Sequence, residues 1–239
     1  MSANRNDRPT CIISFSGIDG AGKSTQIDSL CAEMKESGRQ VRVIRFWDDI
    51  ARLTELREDA GHRVFKGDKG VGTPSAPITR RDKNVQSWLM TCVRLVIYLV
   101  DAASVRLEFR KLSRSETDCV IFDRYIYDEL ANLPLHNPVI RAYISMIMRL
   151  VPRPDISYLL DADPSEARAR KPEYPLEFLK SNRKSYLDLS ELIGGMTVIA
   201  PMSIEEATQA IMREASNGIS VSLAGKGSDE GTTWRASKT

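Results

Sequence analysis

The stretch FSGIDGAGKST at 15–25 concentrates glycine, aspartate, lysine and hydroxyl residues directly after an apolar run. Gly17, Gly22, Lys23 and Ser24 satisfy G-x-x-x-x-G-K-[ST], the spacing of a loop that cradles phosphates. Residues without a Cβ let backbone N–H groups turn inward around an anion. A helix starting at the lysine adds the positive end of its dipole. Asp19, Gly20, Ala21 and Thr25 complete the loop. In this reading Lys23 reaches the β and γ phosphates of a nucleoside triphosphate and the Ser24 hydroxyl holds Mg²⁺. The structural alternative is a glycine-rich turn ahead of a surface helix.

Such a loop needs a strand before it and a helix after it, and the flanking residues supply both. CIISFSG is a short apolar run, and Ile27, Leu30, Cys31 and Met34 then recur at helical spacing. Further strands are predicted at 41–46, 119–125, 155–163 and 196–200. Between them stand a long, largely buried helix at 85–109, helices at 139–151 and 203–215, and a charged helical segment at 164–190. Strands separated by helices imply an α/β fold, with a parallel sheet of five strands covered on both faces. Residues 1–9 read as a flexible N-terminus and 10–215 as one P-loop domain. The glycine, proline and charge content of 67–82 reads as a mobile loop, and 216–239 as a disordered tail.

Composition narrows the function classes. The 239 residues are 42% hydrophobic, enough apolar material for a buried core, and the net charge of +2 supplies no general field for a nucleic acid polymer or a membrane surface. Cys11, Cys31, Cys92 and Cys119 lie far apart without a CxxC pair, which argues for core thiols rather than zinc or disulfides. The polar N-terminus and the lack of a span-length apolar stretch predict a soluble, cytoplasmic protein.

Several separated stretches, in order, resemble the thymidylate kinase family of nucleoside monophosphate kinases. GIDGAGKST has that family's loop form with its aspartate at Asp19, and VIFDRYIYD is similar to its strand ending in D-R-Y. RPDISYLLDADPSEARAR looks like the strand and lid that follow, and YLDLSEL with VIAPMSIEEATQAI like the closing elements. The resemblance implies ATP as donor, Mg²⁺, nucleotide acceptors and a homodimer. Phosphoryl transfer between two polyanions needs cations and fixed donors around the moving group. Arg124 is expected to hold the acceptor phosphate, Asp123 to orient Mg²⁺ through water, and Asp19 to contact the acceptor sugar and phosphate. The structural alternative for Asp123 and Arg124 is an exposed ion pair.

In ARARKPEY, Pro172 and Pro175 interrupt the helix as a lid at about 164–177 requires. The loop carries Gly20 where one branch of the family has a basic residue, and the branch with glycine places its catalytic arginine on the lid. Arg168 or Arg170 is then the expected transition-state cation, with Arg183 as a weaker alternative and a solvated helix face as the structural one. In the acceptor pocket the chain departs from the family. Arg45, Asp48 and Arg52 stand where a phosphate-site segment is expected, and Tyr98 and Ala102 align with its F-x-x-x-R. The lost arginine removes a donor worth about 1–3 kcal/mol; Arg94, one turn earlier, is a substitute, and Asp128 replaces a serine after D-R-Y. Tyr98 and Trp88 also suit the core.

The leading reading is transfer of a phosphoryl group from ATP to dTMP or a related pyrimidine nucleotide. Two alternatives stay open: a deoxynucleoside kinase using Asp48 or Asp49 as base toward a sugar hydroxyl, and a nucleotide-binding regulatory protein without kinase activity.

Overall fold

The structure is a computed structural model and describes residues 10–51, 88–112, 115 and 117–225. Its centre is β1 (Cys11–Ser16), buried at every position because it pairs on both sides, with β3 (Cys119–Asp123) and β4 (Ile156–Leu160). A continuous apolar run suits a strand whose two faces both meet helices. Adding β2 (Val41–Arg45) beside β3 and β5 (Thr197–Ile199) beside β4 makes five parallel strands in the order β2-β3-β1-β4-β5. The expected α/β architecture is therefore present. The register aligns Phe15 with Asp123 and Arg45 with Asp123, so three carboxyl ends lie level with one another. That edge is where open α/β sheets bind ligands.

α1 (Lys23–Glu36) packs Ile27, Leu30, Cys31 and Met34 inward, the residues its spacing selects. It ends at Gly38, in left-handed conformation, with Arg39 N–H donating to the Met34 carbonyl, the wider bond of a Schellman stop. α2 (Trp88–Leu112) leads into β3, and the short α3 (Ile126–Leu130) follows it. α4 (Pro138–Leu150) starts on an Asn137 cap and buries Ile140, Ile144 and Ile147. Burying each of these contributes about 1.5–3 kcal/mol. α5 (Pro164–Arg170) is capped by Asp163, whose carboxylate accepts from the Ser165 and Glu166 N–H groups. α6 (Leu176–Ile193) and α7 (Ile204–Gly225) complete the chain.

Four expectations change. The second strand stops at Arg45, where a π-helical turn, Phe46–Ile50, begins. The charged segment at 164–190 is two helices, α5 and α6, separated at 171–175 by Pro172 and Pro175. α2 is not largely buried: Val96, Leu99, Val100 and Leu107 are exposed along it while Ile97, Tyr98, Ala102 and Val105 face the core. Its apolar composition hid two faces with different surroundings. The segment after Ser216 does not begin a tail, since α7 continues to Gly225. The spacing Ala207, Ile211, Ala215, Ile219 runs across the position where the small polar residues suggested an end. Residues 1–9, the loop at 67–82 and 226–239 lie outside the described residues. Among the cysteines, Cys11, Cys31 and Cys119 are core thiols and Cys92 is half-buried.

Candidate active site

The loop from Gly17 to Gly22 leaves β1 and turns into α1, and two of its glycines are required by contact as well as conformation. Gly17 has φ 140°, and a Cβ there would stand 2.5 Å from the Leu160 carbonyl oxygen at the end of β4. Gly20 has φ 82°, and a Cβ would stand 2.3 Å from the Ala167 carbonyl oxygen in α5. Both obstacles are backbone, so the loop is wedged against β4 on one side and α5 on the other. Gly22 opens α1 with free space beside it.

Lys23 is buried, and its ammonium donates to the Gly17 carbonyl at 2.7 Å and the Ile18 carbonyl at 2.9 Å. It closes the loop on itself. Burial, then the charge of Arg124, lower its pKa from 10.5 to about 8, against the opposing pull of Asp19, Asp128 and Asp123. A polyphosphate prefers the protonated lysine, so binding draws a proton wherever the free protein has lost it. Raising the pH through about 8 is therefore expected to weaken Mg·ATP binding, by up to about tenfold per pH unit. Calorimetry in buffers of different ionisation heat reads the accompanying proton uptake; an affinity flat from neutral to alkaline pH contradicts the assignment.

Arg124 follows β3 with φ 68°, an uncommon value for a residue with a side chain. Its N–H donates to the Phe15 carbonyl at 3.0 Å, which ties the turn to β1. Its guanidinium pairs with Asp19 from the phosphate loop and with Asp128 at 3.4 Å. Burial disfavours its charge, but the carboxylates of Asp19 and Asp128 more than restore it and hold the group protonated. Asp123, Arg124, Asp19 and Lys23 are thus brought together at the carboxyl ends of β1 and β3, although Asp19 and Arg124 are 105 positions apart.

Ser24 and Thr25 are exposed at the start of α1, and Asp123 is half-buried. Among the described residues no group of three or more His, Cys, Asp or Glu side chains is placed to hold a metal ion. One hydroxyl and one carboxylate suit Mg²⁺ that shares phosphate oxygens and keeps its waters, rather than a resident ion in a protein cage.

The other expected residues are dispersed. Arg45 is exposed at the end of β2, level with Asp123. The Asp49 carboxylate accepts from the Arg45 N–H at 2.8 Å, which occupies it as a cap of the π-helical turn; Asp48 is exposed. Arg52 lies outside the described residues, as does the side chain of Trp88. Arg94 is half-buried on α2, and Tyr98 and Ala102 belong to the apolar core. Arg168 is half-buried next to Ala167, while Arg170 is exposed and turned back on Glu166, with its Nε donating to the Glu166 carbonyl at 3.3 Å. Arg183 grips Asp161 through two hydrogen bonds, at 2.5 and 2.7 Å, and so fastens α6 to the end of β4. That pair engages its guanidinium with Asp161 beside Gly17 and Ile18 of the loop.

Sequence reasoning missed Ser16 and Tyr186 and read Asp128 only as a departure. All three meet: Asp128 accepts from the Ser16 hydroxyl at 2.7 Å, the Tyr186 hydroxyl at 2.7 Å and the Tyr125 N–H at 3.1 Å. A buried carboxylate among hydroxyls leaves no sequence pattern beyond the acidic residue itself.

No family model matches the chain. Relatives do. A probable thymidylate kinase from Pyrobaculum aerophilum is 30% identical over 183 residues, covering 73% of this chain and 80% of the relative. The chain belongs to the thymidylate kinase family. A thymidylate kinase from Chlorobium luteolum is 28% identical over 202 residues, covering 75% of this chain and 84% of the relative. The fold is also that of the crystal structure of thymidylate kinase from Ehrlichia chaffeensis, with a TM-score of 0.53 at 19% identity, covering 87% of this chain and 99% of that one. In this thymidylate kinase family member Ala102 and Asp128 are both buried, Ala102 in the apolar core and Asp128 beside Arg124.

Proposed function

We propose that the chain transfers the γ-phosphoryl group of Mg·ATP to dTMP, giving the diphosphate. The observation that carries this reading is Arg124: a guanidinium held by Asp19 at the mouth of the phosphate loop, where an acceptor phosphate must sit for in-line attack on a donor bound by Lys23. Loop N–H groups from Gly17 to Thr25 bind the triphosphate, and Lys23 exchanges its two carbonyl partners for phosphate oxygens. Ser24 and Asp123 would hold Mg²⁺, which would supply positive charge to the phosphates. Arg124 orients the acceptor phosphate, and Asp19 lies beside it to meet the acceptor sugar. Arg45, level with Asp123, is the outer acceptor contact, and half-buried Arg94 on α2 is the base-side contact, whereas Tyr98, expected there, is packed into the core.

Gly20 and Ala167 touch, so α5 rests on the loop, and that contact supports Arg168, the next residue, as the lid cation. Arg170, folded onto Glu166, is secondary. Coupled ADP release across all nucleosides and nucleoside monophosphates is the test. Turnover with dTMP is expected. Turnover with nucleosides alone favours the nucleoside kinase, which Asp49's engagement with the Arg45 N–H disfavours; no turnover with any acceptor leaves the regulatory reading. In the same assay Arg168→Ala is expected to lower kcat about 10²-fold with little change in KM, since the charge matters most in the transition state.

The exposed row Val96, Leu99, Val100 and Leu107 on α2 supports a homodimer, because a twofold axis lets such a row pack against its own copy. Val96→Asp is expected to sediment as a monomer. No helix among the described residues is long and apolar enough to cross a membrane; we place the protein in the cytoplasm.

A further inference from the structure

We propose that Asp128 and Tyr186 form a positioning pair that fixes the Arg124 guanidinium in the acceptor-phosphate site, so that α6 controls the alignment of the acceptor. The inference rests on the kinase reading above and adds two residues that touch no substrate.

Asp128 is 3% exposed, and its two carboxylate oxygens divide the work. One accepts from Ser16 at 2.7 Å and the Tyr125 N–H at 3.1 Å, which anchors the carboxylate to the end of β1 and the first turn of α3. The other accepts from Tyr186 at 2.7 Å and faces the Arg124 guanidinium at 3.4 Å. Tyr186 is itself buried, and Arg183, one turn earlier on α6, is clamped to Asp161. α6 therefore grips the site at two points three residues apart, one on Asp161 just beyond β4 and one on Asp128.

A buried carboxylate is costly unless its charge is paired and its lone pairs are taken, and this one has both. A serine here would carry no charge and too few lone pairs to serve Ser16, Tyr125 and Tyr186 and face Arg124 as well. The carboxylate does more than fill space. Arg124 hangs from a backbone in the left-handed region and carries a long side chain. Two carboxylates, Asp19 and Asp128, restrain it from different elements. Asp128 is locked by Ser16, the Tyr125 N–H and Tyr186, so it restrains the guanidinium from a fixed point. The fixed restraint is thus the one from Asp128. Misplacing a cation by an ångström in such a site costs about 10²-fold in rate.

The test is a double-mutant cycle on the full chain. Tyr186→Phe removes one hydroxyl at nearly constant volume and is expected to lower kcat/KM for dTMP about tenfold, with KM for ATP within about twofold of the parent. In an Arg124→Ala background the same change is expected to cost less than about twofold, because a positioning residue has nothing left to position. Asp128→Asn follows the same pattern with a larger loss, and Asp128→Glu restores part of it. An undiminished loss from Tyr186→Phe in the Arg124→Ala background, or no loss in the parent background, overturns the proposal. Guanidinium NMR of the nucleotide-free protein keeps the two readings apart. Slowed rotation of the Arg124 group that is released by Tyr186→Phe supports the restraint even if no acceptor is turned over. Rotation unchanged by that substitution refutes it while leaving kinase activity intact.

Discussion

Lys23→Met is expected to lower turnover by about a thousandfold or more while the protein still folds. Methionine nearly matches lysine in length and suits a site that is 7% exposed. What it lacks is charge. In the free protein the ammonium donates to the Gly17 and Ile18 carbonyls, and burial works against its charge and lowers its pKa despite the pull of Asp19, Asp128 and Asp123. Removing it therefore costs the fold little, within about 1 kcal/mol on balance, because two carbonyls lose a donor while a desolvated charge disappears. Under the proposed function the reaction would lose the cation that meets the transferred phosphoryl group. Steady-state ADP release and a thermal melt separate the two effects. Turnover within tenfold of the parent, on folded protein, would remove the loop from the chemistry.

Gly20→Ala is expected to be the most disruptive change of a single atom in the site. The added Cβ meets the Ala167 carbonyl oxygen at 2.3 Å, and at φ 82° the new residue also pays about 1–2 kcal/mol for left-handed geometry. Because the obstacle is backbone, the loop or α5 must move. A stability loss of about 2–4 kcal/mol in urea unfolding is expected, with a fall in kcat of about 10–100-fold as Arg168 is carried away with α5. Gly38→Ala is the control. Gly38 has φ 73° but open space around it, so it reports strain without contact and should cost only the first contribution. Equal effects at both positions would mean that α5 does not bear on the loop. The contact also gives a physical reason why this chain carries glycine at 20: there is no room for a side chain.

How much of this was readable beforehand depended on whether the signal was local. Strand β1, the loop and α1 were legible because their constraints act within a few residues: an apolar run, glycines where N–H groups must converge, and a helical row at 27, 30, 31 and 34. The D-R-Y strand end was legible for the same reason. α2 was not, because an apolar helix with one face on the core and one exposed has nearly the same composition as one buried all round. The extension of α7 past Ser216 was hidden by Asn217 and Gly218, which read as an end although the apolar spacing continues through them.

The sequence by itself determined that a phosphate loop sits between a strand and a helix in a parallel α/β sheet, since each of those features is encoded in neighbours along the chain. Tertiary structure alone decided which charges face one another. Asp19 meets Arg124 across 105 positions and Asp128 meets Tyr186 across 58, because strand order places β1 beside β3 and packs α6 against α3. It likewise committed Arg183 to Asp161 and pressed Gly20 against Ala167. Pairing of charges depends on distance in space, and no spacing along the chain carries that information until the sheet has formed.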